Sequence, residues 1–315
     1  TMPEIAALAS LGLALAAAVA VGVAADFSAF FARGVDTRRA AIASSEHALG
    51  PVALATALAF VSATLHGVFS AGASGMRLAW IAAVSAGLST AIAAAFATGA
   101  VSLTGLGENL AVDENLRRQR LRRLWRPLRQ VFSSSVAYAV TAIAFIVMLV
   151  AAFDLRAAPS PALLAYAPAA GIVAGLCLIS LRGGLFVAVL MTIAAISTAW
   201  LFERLNLLPL DPFGASVAFA ILATGFAMLA LSWRDARSPR LNARETMETA
   251  LTEGVGRFAV SLAAGVGGLY AAAFSGAWPE AVDAAARVLI GGLAGVIVAP
   301  ALMTSLAAVG GRERY

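Results

Sequence analysis

The chain has 315 residues, 61% of them hydrophobic and only 12% charged, with a formal net charge of +5. An ordinary globular domain is about 45–50% apolar and about 25% charged, so a typical water-soluble domain is excluded. The positive balance is not a nucleic-acid footprint, because every basic residue is an arginine and the arginines cluster between apolar runs. Those runs recur at about 18–25 residues, the length a helix needs to cross a hydrocarbon layer about 30 Å thick. Helices are the expected spanning elements because they satisfy their own backbone hydrogen bonds. The expected fold is therefore all-α: a polytopic transmembrane helix bundle of about nine spans.

In chain order the spans are predicted at roughly 4–31, 50–71, 77–104, 130–153, 161–180, 184–203, 213–233, 254–275 and 283–309. The first is not expected to be a cleaved signal peptide. Thr1-Met2-Pro3-Glu4 supplies no basic leader region, and the apolar run is too long. A chain that opens on threonine is expected either to carry an added residue before Met2 or to be cut from something longer.

Arginines fall on alternate connections: Arg33, Arg38 and Arg39; the run from Arg117 to Arg129; Arg182; Arg234 to Arg244; and Arg312 and Arg314. The opposite connections are poorer in arginine, with Arg77, Arg156 and Arg204 as exceptions. Arginine-rich loops stay in the cytoplasm, which predicts an outside N-terminus and a cytoplasmic C-terminus. Trp125, Trp200, Trp233 and Trp278 fall near predicted span ends and are expected at the membrane–water interface.

The stretch from Glu108 to Gln130 is the one long charged segment, with leucines and Trp125 spaced at helical intervals among arginines. It is expected to be a basic interfacial linker helix on an anionic leaflet, with Arg117, Arg118, Arg122, Arg123 and Trp125 as lipid contacts. This divides the chain into 1–107, a three-span part; 108–129, the linker; and 130–315, a six-span part.

The segment 14–70 resembles 216–275: an apolar span ending in aromatics and arginine, a polar stretch, then a second span. Internal repeats of this kind are usual in secondary transporters, with function at the interface between halves. The alignment pairs Gly22 with Gly225 and Asp26 with Leu229.

Asp26 is the clearest acidic residue within a span. A charge at mid-membrane costs at least about 2.5–3.5 kcal/mol on insertion scales, so such a residue is usually functional. Reversible protonation of Asp26 is the chemistry a proton-coupled transporter needs; the competing reading is a neutral acid hydrogen-bonded to a neighbouring helix. His66, in the second span, is the other candidate proton-relay group, as a partner of Asp26 or as a packing residue. His47, in the polar stretch before it, reads as surface.

With two histidines and one cysteine, no metal cluster is expected, and no cofactor is called for. No phosphate-binding glycine loop is present. Cys177 reads as a small packing residue. Gly265, Gly267, Gly268, Gly291, Gly292 and Gly295 read as small faces for close helix packing, and Pro300 as a kink.

With these residues in view, the chain resembles the membrane domain of resistance-nodulation-division (RND) transporters, in the branch of the mycobacterial-membrane-protein-large type and the hopanoid-associated exporters. In that family the fourth span carries a Gly-x-x-x-Asp element, which Gly22-Val23-Ala24-Ala25-Asp26-Phe27 fits. The polar stretch with Arg38, Arg39 and Glu46 and the restart at Gly50-Pro51 look like the family's connection between fourth and fifth spans. Asn206 to Phe213 looks like the turn before the tenth span, and Val298-Ala299-Pro300-Ala301-Leu302 like the motif closing the twelfth.

The resemblance implies a proton-motive-force-driven exporter of lipids or other hydrophobic molecules in a bacterial inner membrane, acting as a homo-oligomer or in a larger complex. It does not imply an enzyme. The departures are large: three spans and both external porter domains of the family are not in this chain, and the second acidic position is Leu229. The alternative expectation is a non-catalytic membrane subunit that scaffolds a larger complex.

Overall fold

The computed structural model describes residues 2–69, 73–103, 107–154, 180–205, 212–237 and 241–308. Among them are nine α-helices: α1 (Met2–Phe31), α2 (Thr37–Phe69), α3 (Ala73–Leu103), α4 (Gly107–Val131), α5 (Ser134–Asp154), α6 (Leu181–Arg204), α7 (Pro212–Ala236), α8 (Ala243–Phe274) and α9 (Ala281–Ala308). Six of these, α1, α3, α6, α7, α8 and α9, are long and apolar enough to cross a membrane. The number is seven if α4 and α5, bent by 89° to each other, count together. The protein is thus an integral membrane helix bundle. The nine expected spans reduce to this number partly because 161–180 lies almost wholly outside the described residues, as do Cys177 and the turn from Asn206 to Asp211.

Two boundaries differ from expectation. The polar stretches before the second and eighth predicted spans are not loops; each is the first part of one continuous helix, 33 residues in α2 and 32 in α8. Gly50-Pro51 is therefore no restart. Pro51 sits inside α2, where it has no N–H to give to the carbonyl of His47, one turn earlier. α1 is stopped instead by Gly34, at φ +79°, a conformation that side chains disfavour. There the N–H of Gly34 donates to the Phe31 carbonyl and that of Val35 to the Phe30 carbonyl.

α7 is the centre of the bundle. From Ala218 to Trp233 its side chains are buried on every face, as expected of a helix apolar all round and surrounded by others. It packs against α8, α6, α9, α2 and α1, while α8 lies between α7 and α1. Outward stripes are apolar too: Ile81, Val84, Leu88, Ile92 and Phe96 on α3, and Leu289, Leu293 and Ile297 on α9, are all exposed. Exposed aliphatic stripes on spanning helices are surfaces for lipid. Several hydroxyls in the spans are satisfied locally; Thr198 and Thr224, for example, donate to carbonyls one turn back.

Small residues set the helix spacing. A Cβ on Gly265, Gly291, Gly292 or Gly295 would run into Ile221, Leu222, Leu262 or Phe226 respectively. Gly267 is the exception to the expected glycine face, with nothing near it. Two tryptophans also depart from the interfacial expectation. Trp233 is fully buried beside Phe186, with the Arg237 guanidinium 4.0 Å above its ring, and Trp278 is buried against Phe213. Intramolecular packing takes up rings that the sequence places near the membrane surface.

α8 begins with a capping box. The Asn242 side chain accepts from the Glu245 N–H at 2.9 Å, and the Glu245 carboxylate accepts from the Asn242 N–H at 3.2 Å. Replacing Asn242 with alanine is expected to cost about 1 kcal/mol, read as a lower unfolding midpoint in detergent.

Candidate functional site

The site forms where the end of α1, the first part of α2 and the polar part of α8 meet. Asp26, in the last turns of α1, accepts a hydrogen bond from Arg257 Nη2 of α8 at 2.8 Å. The two side chains are 24% and 12% exposed, so this ion pair is held largely out of water. Gly22, one turn before Asp26, faces the Arg257 side chain; a Cβ there would sit 3.5 Å from Arg257 Nε, an ordinary van der Waals contact.

The histidine beside Asp26 is His47, not His66. His47 Nδ1 lies 3.9 Å from Asp26 Oδ2, and the imidazole packs edge-on to Phe30 with centroids 5.4 Å apart. Its side chain is 63% exposed, so the surface assignment holds, yet it also touches the acid. His66 follows nineteen residues later on α2, roughly 28 Å along the helix at the usual rise, too far for a direct pairing with Asp26. The side chain of His66 lies outside the described residues.

Around the pair is a cavity of about 360 Å³. Its wall carries Asp26, Asp235 and Glu253 against Arg33, Arg118 and Arg257, with His47, Phe30 and Leu241 between them. The three acidic and three basic side chains balance, so the wall favours neither sign of charge. Among the described residues no group of three or more His, Cys, Asp or Glu side chains could hold a metal ion.

The other anticipated residues divide between two environments. On α4, Arg118 turns inward and pairs with Glu253 of α8 at 3.7 Å, and Trp125 packs on the core. Arg122 and Arg123 are exposed, and the side chain of Arg117 lies outside the described residues.

Position 229, aligned with Asp26 in the repeat, is filled differently. Leu229 is fully buried and lies against Gly254 of α8, where a Cβ would come within 2.9 Å of it. α8 therefore offers an arginine to α1 and a bare glycine to α7.

Sequence reasoning missed Arg257. The signal was present: apart from Arg77 at a span edge, Arg257 and Arg287 are the only basic residues inside the predicted spans. An intramembrane cation calls for a partner as much as an intramembrane acid does. Arg287 is itself buried, its guanidinium 4.1 Å from the ring of Phe202. The chain matches no protein-family model, no curated protein and no solved structure, which leaves its function to be read from these residues.

Proposed function

We propose that this chain is the membrane part of a proton-motive-force-driven exporter of the RND type, acting on lipids or other hydrophobic molecules, with Asp26 as the proton-carrying group. The observation that supports it most is the Asp26–Arg257 pair. It joins a helix of the first part to a helix of the second, beside a cavity that an exposed histidine also lines. Protonation of Asp26 would discharge the carboxylate and release Arg257 from it, so proton binding would loosen α1 from α8. That is the differential interaction a coupled conformational change requires. The similar element pattern of the two repeat segments also fits, since each ends a span, turns within a few residues and continues as a helix of over thirty.

In this reading the chain is not an enzyme, and it sits in a bacterial inner membrane with its arginine-rich connections in the cytoplasm. His47 takes the relay position that the sequence suggested for His66.

The test is energy-dependent efflux of a lipophilic fluorescent dye from vesicles containing the protein. Asp26→Asn is expected to abolish efflux, and unchanged efflux would remove Asp26 from the mechanism. A second reading is a membrane subunit that scaffolds a larger complex. It is favoured by Leu229, whose packing against Gly254 leaves the second repeat with no acid at the matching position. Stable co-purification with a partner and no proton uptake in wild-type vesicles would select it. The intact mass of the protein in its native membrane separates the two further. A mass well above that of 315 residues favours the exporter, and one equal to it favours the subunit.

A further inference from the structure

α4 has three faces rather than two. Toward the bundle, Arg118 pairs with Glu253, and Arg129 pairs with Glu245 at 3.6 Å and Glu248 at 3.2 Å. Trp125 packs on the core between those clamps. A second face runs through Leu116, Arg120, Leu124 and Val131, a spacing that stacks them on one side of a helix. Its three apolar side chains are 49%, 62% and 58% exposed. A third face, Gln119, Arg122, Arg126 and Gln130, is wholly polar and exposed.

Protein and water account for the first and third faces; the leucine stripe needs another medium. α5 supplies the orientation. Its 21 residues carry no charge before Asp154, and α4 stands at 89° to it. With the apolar α5 directed into the hydrocarbon layer, α4 runs along the membrane surface.

We propose that α4 is a docking surface for anionic phospholipid headgroups. Leu116, Leu124 and Val131 enter the boundary of the acyl layer, and Arg120 and Arg123, exposed beside them, reach back to the phosphates. The charge selects an anionic partner: Arg120 and Arg123 are exposed beside the stripe, and Arg122 and Arg126 add positive charge on the neighbouring face. The other side of the same helix holds α8 through Glu253, one turn before Arg257, and both residues line the cavity. Anionic lipid therefore steadies one wall of the site. The proposal does not depend on the exporter reading.

The test uses the full chain with Cys177→Ser and a single cysteine at either Leu124→Cys or Arg122→Cys, carrying a fluorophore. Both positions are on the surface of α4, so the fold is expected to tolerate them. The protein is placed in vesicles of phosphatidylcholine, or of equal phosphatidylcholine and phosphatidylglycerol, and quenched by a headgroup-depth nitroxide lipid or by aqueous acrylamide. The label at 124 should be quenched by lipid and the label at 122 by acrylamide. In phosphatidylglycerol vesicles, Arg120→Gln with Arg123→Gln should lower the ratio of lipid to aqueous quenching at 124 by roughly tenfold. High salt should weaken quenching by lipid in the same direction. Equal acrylamide quenching at 122 and 124 would overturn the membrane placement. Lipid quenching at 124 that is the same in both vesicle types would overturn the recognition of anionic headgroups.

Discussion

Replacing Arg257 with methionine is expected to destabilise the protein by about 2–3 kcal/mol, and replacing Asp26 with asparagine by a similar amount. Combining the two should cost much less than their sum. Breaking a buried pair by removing one partner leaves the other charge uncompensated, at about 3–5 kcal/mol where burial is complete. Here Asp26 keeps 24% of its side-chain surface, so the figure is set lower. Once both charges are gone, that penalty has no source. Unfolding midpoints of the wild type, the two single variants and the double variant form a thermodynamic cycle whose coupling term isolates the pair. A coupling near zero would mean that Asp26 and Arg257 do not depend on each other. The cycle also bears on the efflux experiment. Loss of efflux in Asp26→Asn alone combines lost proton carriage with a stranded arginine, whereas the double variant removes the stranded charge. Efflux that stays absent in a well-folded double variant would separate the two effects.

The second large effect is expected at Gly268, where α8 meets α1. A Cβ there would lie 2.8 Å from the Cα of Ser10, and a backbone atom cannot rotate away as a side chain can. Gly268→Ala should therefore push α1 off α8, at a cost of about 1–3 kcal/mol. Because Asp26 and Arg257 sit on those same two helices, the wedge should also weaken their pair. Gly267 provides the control. It has open space around it, so Gly267→Ala should be neutral or gain about 0.5–1 kcal/mol from better helix propensity. Thermal melting in detergent distinguishes the two neighbours directly, and equal effects would show that α1 and α8 are not closely packed at this point.

Much of the molecule is determined by the sequence alone. Uninterrupted apolar runs of about 20 residues compel helices in a membrane, because an unpaired backbone amide in hydrocarbon costs several kcal/mol and a helix pairs every one within the run. The same reasoning marks Asp26, since an acid within such a run needs a reason to be there. The amphipathic α4 is equally legible, because its helical periodicity is a local property.

Tertiary structure decided what the acid touches. That Arg257 answers Asp26 and that His47 rather than His66 stands beside it are facts about which helices pack together. So are the burial of Trp233 and Trp278 and the closure of position 229 by Gly254. Hydrophobic periodicity records that a helix has partners, but in a chain apolar on almost every face it does not record which ones. Lipid and protein interior are alike to a leucine. Only the packed bundle distinguishes them, and it does so through close-fitting glycines and the pairing of two partly buried charges.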